Sequence, residues 1–488
     1  MIKMKMKLKI SLTILLLSST FLLSQQSRLD ALGGLSYSIV DIDSQIDPYI
    51  MGGNPAWMIN SYRNQRLEIN PLYTNSSGDY HRFFESGNVN NVDVSFMGIK
   101  PLGNSGTFRG YAAYNYQLQK DRNRILTLNP YSGDAFFFTD TTSGDYRYSG
   151  PTFEFMHSLE VIDNLFIGAS VNYKILDGLK KVYTYAETLY RNVSGNIGIA
   201  YKVSDNFSIG FNYHIYDTQE KILANDVNNR DVQTFLYRGD TYKIELSGGS
   251  QDFKIKRFGN DFGFQTQFIP IKNLTVGLDV KYLVSNTSSL FKVTSIIDTE
   301  DGYTNFNKTS INLQARWLAN DVINIGFTAG YNDCNSWSKN SKYNLTLWEL
   351  GVKDISSGIG VTYLNHKNDF LIGAEYELHS ISADSLKYID NRFIEISALN
   401  HIARIGAEVS LSKIFSLRIG YNLIFKEHDF IYGGKNVITH FATLGGAIKI
   451  SDLIEIEPRV EYATTSLSGN NLQKNNFGIY TTLRFFKF

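Results

Sequence analysis

A recurring hairpin constrains this chain more than any other feature of its 488 residues. Each copy is a short polar turn followed by a strand of about ten residues that alternates apolar and polar side chains and carries a glycine near its start. Copies run over 161–175, 203–215, 271–282, 320–331, 366–378, 411–425 and 451–462. In the third, Leu274, Val276, Leu278, Val280 and Tyr282 alternate with Thr275, Gly277, Asp279 and Lys281. A strand has period two, so these sets form two surfaces, one apolar and one wet. A soluble sandwich can show the same alternation, and three further features decide against it.

At the amino terminus, Lys3, Lys5, Lys7 and Lys9 precede an apolar run over 10–23 that ends in Ser24 and Gln25. This reads as a secretory signal peptide over 1–25, because the run is shorter than the ~20 residues of a spanning helix. Any later membrane crossing must then be made by strands. Tyr (31) and Phe (32) supply most of the 14% aromatic content, yet mean hydropathy is −0.19. A barrel with a polar lumen and aromatic interface rings has that balance. A lone Cys334 excludes a disulfide framework. Charges are even, 47 against 47, and no basic run points to nucleic acid.

The chain ends on an alternating strand, 476–488, that stops on an aromatic residue. Phe485, Phe486 and Phe488 there resemble the carboxy-terminal insertion signal of outer-membrane proteins, although Phe486 and Phe488 break the alternation of Phe477, Ile479, Leu483 and Phe485. The strands entering each turn alternate as well. With an early hairpin over 95–116, a first strand near 65–73 and the last strand, the count is about eighteen, with sixteen and fourteen left open. The expected fold is all-β: a transmembrane, antiparallel, up-and-down barrel over 65–488. Long polar stretches at 217–256, 286–305 and 380–399 read as outer connections, with an alternating piece at 234–246 continuing as strand above the membrane.

Residues 26–64 do not read as wall. Ala31-Leu32-Gly33-Gly34, an acidic run from Asp41 to Asp47, and Asn54-Pro55-Ala56 follow one another in that order. Here the chain resembles the long-chain fatty acid transporter family of outer-membrane barrels and its relatives among type IX secretion accessory barrels. The resemblance implies that this segment folds into the barrel as a plug or hatch, with Gly33, Gly34, Asn54, Pro55 and Ala56 as its motif. It also implies a fourteen-stranded wall and passage of small, hydrophobic solutes. Trp57 stands where the family usually has glycine.

The inward faces carry Lys174, Asn212, His214, Asp279, Lys281, Glu375, Glu377 and Arg418 as candidate lumen residues, a mixture without one selecting sign of charge. Glycines at 168, 210, 277, 326, 373 and 420 share that face just above the turns and read as room for coiled strands or a closely packed hatch. Asp41, Asp43, Gln45 and Asp47 space oxygen ligands like a calcium loop, but Ile46 and Gly52 stand where the turn glycine and bidentate acid belong. The eight histidines show no metal spacing, and no nucleophile, base and orienter series is legible. No catalytic residue, cofactor or metal is therefore assigned.

The reading that follows is a transport barrel in the outer membrane of a Gram-negative-type bacterium, inserted by the barrel assembly machinery and surrounded by outer-membrane lipid. Its partners are hydrophobic small molecules or, in a second reading as a secretion or surface-attachment scaffold, a secreted protein. A barrel hydrolase assembled from His214, Glu375, Glu377 and His379 is the third reading.

Overall fold

The computed structural model describes residues 28–38, 53–58, 65–103, 106–226, 231–239, 242–293, 297–365, 369–388, 391–430 and 432–486. The signal-peptide run, Asp41 to Asp47, Gly52, His366 and Phe488 lie outside these described residues.

In chain order the first strands are β1 (Arg66–Gly78), β2 (Asn88–Pro101), β3 (Gly106–Arg122), β4 (Phe136–Asp140), β5 (Gly144–Ile162), β6 (Leu165–Lys180) and β7 (Tyr185–Ser204). Next come β8 (Phe207–Asn225), β9 (Val232–Arg238), β10 (Tyr242–Gly248), β11 (Ser250–Ile271), β12 (Leu274–Val293), β13 (Thr299–Leu318) and β14 (Ile323–Asn340). The last are β15 (Leu345–Asn365), β16 (Phe370–Lys387), β17 (Arg392–Ser410), β18 (Phe415–His428), β19 (Lys435–Ser451), β20 (Ile454–Leu467) and β21 (Gln473–Phe486). All except β4, β9 and β10 form one 18-stranded sheet in which chain neighbours pair antiparallel. The sheet closes on itself where β1 pairs with β21, from Arg66 opposite Phe486 to Gly78 opposite Lys474. The wall thus has eighteen strands where the family resemblance implies fourteen. Circumference is set by how many hairpins the chain contains, and the chain contains more of them.

The outward face is apolar over a band bounded by aromatic residues. Tyr201, Phe268, Trp317 and Tyr363 ring the short-turn end, and Tyr282, Tyr376, Tyr421 and Tyr462 ring the other; all are exposed. Between them lie exposed aliphatic and aromatic side chains such as Ile197 (62%), Phe262 (57%) and Ile359 (56%). Trp317 is aligned with Leu274, eight residues along β12 from Tyr282, or roughly 27 Å of strand. A closed sheet with this lipid-facing band is a transmembrane β-barrel, the architecture of single-chain outer-membrane proteins. The turns are tight: Asn164 adopts φ 65°, a left-handed conformation that asparagine tolerates better than most residues.

The wall continues well above the outer aromatic ring. The polar stretches expected to be connections are mostly strand, since β12 runs to Val293 and β13 resumes at Thr299, while β16 runs to Lys387 and β17 resumes at Arg392. Polar side chains report that both faces meet water, and backbone pairing is indifferent to that. The alternating piece at 234–246 also differs from expectation. It forms β9 and β10, which join β4 in a separate three-stranded sheet. That sheet packs on the inner face of the upper wall: Leu126, Phe138 and Leu236 are buried against Tyr146, Tyr148, Ala186, Ile222, Ala224 and Phe253.

Replacing Ile197 at mid-band with Arg puts a charge into hydrocarbon and should lower stability by about 2–4 kcal/mol. Urea unfolding of the barrel refolded in lipid vesicles measures this, with Asn192→Ser on the inner face of the same strand expected to change little.

Candidate functional site

The two described pieces of the amino-terminal segment lie inside the base of the barrel and are bound to separate arcs of wall. The first begins with a helical turn at Arg28 that ends on Gly33 (φ 78°) and Gly34 (φ 79°), where Gly34 N–H donates to Leu29 O at 2.9 Å. Residues with a Cβ rarely adopt this φ, which explains the glycine pair. Its ends are tied by charge: Arg28 donates to Glu408 at 2.7 Å, and Arg459 donates to Asp30 at 2.8 Å. Glu375, 3% exposed, accepts from the backbone N–H groups of Ser36, Tyr37 and Ser38 at 2.8–3.1 Å, and also from the Ser38 hydroxyl at 2.7 Å. One carboxylate thus satisfies three consecutive donors that a buried turn would otherwise leave unpaired.

The second piece is held without charge. Asn54 caps a 3-10 turn over Pro55–Trp57, its Oδ1 accepting from Ala56 N–H at 3.0 Å. Its amide nitrogen donates to the wall carbonyls of Ile199 and Phe211 at 3.2 Å each, and to Gln265 at 3.0 Å. Ser158 donates to Ala56 O, and Asn196 to Gly53 O. Trp57 packs with Ala56, Phe166 and Ala200.

Glycine makes this approach feasible. A Cβ at Gly420 would overlap Gly33 N, one at Gly168 would overlap the Pro55–Ala56 backbone, and one at Gly326 would overlap Tyr37 O. At Gly210 it would come 2.9 Å from the Trp57 ring, and at Gly373 2.9 Å from Leu35 Cδ1.

Above and beside this segment the inner face is polar and mostly paired. Glu68, Arg484, Glu457, Arg418, Glu408 and Arg28 form a ladder of ion pairs that crosses the closing seam of the barrel and ends on the segment. Arg418 is its middle rung, at 2.6 Å from Glu457. Glu377 is held by Arg404 at 2.9 Å and by His379 at 3.1 Å, and His379 also meets Asp354 at 3.1 Å. His214 contacts Asp261 at 2.8 Å. Asn212 and Asp279 both accept from the Gln265 amide. Lys174, Lys281 and Lys308 have no such partner among the described residues. Of the terminal aromatics, Phe485 shares the outward side of β21 with Phe477 and Ile479, while Phe486 is on the inner side, opposite Arg66.

Higher on β13–β17, the inner face becomes apolar. Cys334, Leu350, Val352, Ile381, Ala383 and Ala398 pack with Phe430, and Phe306, Trp348, Ile394 and Ile396 border them while only partly buried. The strip is not legible in the sequence, because each strand contributes only one to three apolar residues to a face otherwise read as lumen. Strand is expected at 234–246, but the pairing of β9 with β4 and the inward packing of the upper sheet are not legible in the sequence. The sheet is clamped to the wall by ion pairs of Lys180 with Asp140, Arg257 with Asp134 and Arg238 with Asp301. Arg122 adds bonds to Tyr148, Thr127 and Leu128, while Glu220 accepts from Leu128 N–H.

Glu375→Gln removes the charge that gathers Ser36 to Ser38. Bonds to charged groups contribute roughly 1.5–3 kcal/mol, so amide hydrogen exchange at 36–38 should accelerate about ten- to hundredfold while exchange in the wall stays unchanged. A second expectation concerns Glu220, above the outer aromatic ring. Burial pushes its carboxyl up from 4.5 to about 7, with the Leu128 bond and the nearby Arg122 and Arg257 opposing. A raised folded value means that the stabilising contribution is full below 4.5 and is lost as pH rises through 7. Exchange at Leu128, corrected for intrinsic rates, should rise on the order of tenfold from pH 5.5 to 8, and Glu220→Gln should flatten that dependence.

Residues 55–484 match the model of a family described as a family of unknown function, DUF6850. No curated protein matches the sequence. Among solved structures, the chain is similar to the siderophore receptor PiuA from Acinetobacter baumannii (TM-score 0.42, 10% identity, 87% of this chain and 82% of that one). It is also similar to the Pseudomonas putida toluene transporter TodX (TM-score 0.34, 12% identity, 94% and 97%) and to a Pseudomonas aeruginosa FadL homologue (TM-score 0.37, 11% identity, 94% and 97%). Because the family match runs from the Pro55–Trp57 turn through all but the end of the last strand, the chain belongs to the DUF6850 family of unknown function.

Proposed function

We propose that this chain is an outer-membrane transport barrel that admits small, hydrophobic solutes and whose base is plugged by its own amino-terminal segment. The observation that carries the reading is the apolar strip on the inner wall, flanked by the partly accessible Phe306, Trp348, Ile394 and Ile396. An apolar surface inside a polar lumen is a place where a hydrophobic solute leaves water, gaining about 25 cal/mol for each Å² of apolar area covered. The second support is the docking of Arg28 to Ser38 and of Asn54 to Trp57 on two separate arcs of the base. A segment fastened at both places narrows the path toward the short-turn side, and release of either fastening widens it. The charged fastening at Glu375 and Glu408 and the neutral one at Asn54 differ in their sensitivity to salt.

The chain has four tryptophans, so the strip can be watched directly. With Trp57, Trp317 and Trp337 replaced by Phe, the emission of Trp348 should change saturably on adding toluene and not on adding glucose. In planar bilayers, deletion of residues 28–58 should raise single-channel conductance severalfold. Unchanged conductance together with no toluene response would remove the transport reading, and stoichiometric recovery of a secreted protein with the barrel from native membranes would favour the scaffold instead.

A further inference from the structure

We infer that the lumen contains an anion-binding subsite at Lys281 and Lys308, which takes the carboxylate or phosphate of a small organic anion. The inference deepens the transport reading by giving the solute a charged group, and it rests on that reading only for its place in a passage. Lys281 is aligned with Ser310 across the β12–β13 pair and Lys308 with Leu283, so the two lysines are diagonal neighbours, on a face whose reverse side exposes Tyr282, Val284 and Ile311. Diagonal neighbours lie about 7–8 Å apart, within reach of long side chains.

Neither ammonium has a hydrogen-bond or ion-pair partner among the described residues. This contrasts with the inner-wall arginines Arg404, Arg418, Arg459 and Arg484, which each meet carboxylates; Lys174 also lacks a partner among the described residues but stands alone on β6, without a second lysine beside it. The carboxylates whose charge reaches the lysines are engaged elsewhere: Asp279 accepts from the Gln265 amide, and Asp354 from His379. Two like charges held side by side repel, so an arrangement that leaves them together is one that an anion relieves. The neighbours suit an oxyanion, because Ser310, aligned with both Lys281 and Asn332, donates its hydroxyl to Asn332 Oδ1 at 2.9 Å, which leaves the Asn332 amide nitrogen as a donor for an anion at the ammoniums. The position is also right for a passage. Along β13, Arg316 below the pair reaches Ser36 of the basal segment, and Gly302 above it lies under the Phe136 ring of the upper sheet. The pair therefore stands between the two inward-folded pieces and below Phe306 of the apolar strip.

Calorimetric titration of the full chain in detergent with benzoate, phenyl phosphate and neutral benzyl alcohol tests the subsite. At least one anion should bind the wild type, with Lys281→Gln/Lys308→Gln weakening it tenfold or more, Lys281→Arg/Lys308→Arg staying within about threefold, and benzyl alcohol responding to neither change. Preference for benzoate or for phenyl phosphate identifies the group as carboxylate or phosphate. Binding of neither anion, or equal affinity in the wild type and the Gln pair, overturns the inference. Should the Gln pair fail to fold, the wild type alone decides: millimolar benzoate or phenyl phosphate in a fixed sodium chloride background should raise its melting temperature saturably while benzyl alcohol at the same concentration does not, and no difference between the anions and the alcohol overturns the inference. Anion binding that persists while Trp348 ignores toluene separates failure of the transport reading from failure of the subsite.

Discussion

Closure of the backbone hydrogen-bond ladder between β1 and β21 is the constraint on which the rest of this molecule depends. Hydrocarbon offers no partner to an open strand edge, so a strand-built crossing is stable only when the first and last strands meet. Eighteen strands close here, and that circumference leaves an interior too wide for wall side chains alone to fill. What enters the interior, and how it is held there, follows from that surplus of space.

The chain fills it from two directions. At the base, glycines on the inner face let the backbone of Leu32 to Ser38 and of Asn54 to Trp57 approach the wall without a Cβ in between. Polar side chains of the wall then supply the hydrogen bonds that a buried, irregular backbone requires, with Glu375 serving three N–H groups in one arc and Ser158 and Asn196 serving carbonyls in another. Above the membrane, the sheet of β4, β9 and β10 turns aromatic and aliphatic residues against the inner wall and is tied by ion pairs. The wall between these fillings keeps unpaired lysines and an apolar strip. Those are the features that a passing solute can use.

Much of the wall was legible in the amino-acid sequence. The hairpin repeat sets the short-turn pairs from β5–β6 through β19–β20, because period-two alternation and turn residues are local properties. Parity alone puts Lys174, Asn212, His214, Asp279, Lys281, Glu375, Glu377 and Arg418 on one side of their strands, the side read as lumen. It does not give their partners. Glu375 and Ser38 are 337 residues apart, and nothing near either one marks the bond. The long polar stretches misled for the opposite reason, since composition records exposure to water and not strand pairing.

The sequence by itself determined the kind of wall, its alternating faces and the glycines at its base, all of which are written within a few residues of one another. Tertiary structure alone decided which arcs of wall hold the amino-terminal segment, that β9 and β10 join β4 in a separate sheet packed on the inner wall, and that Phe306, Cys334, Val352 and Ile381 merge into one apolar strip. Such groupings depend on barrel closure and on the stagger between strands. These are global quantities that bring distant residues together only after every hydrogen-bonded pair is in register.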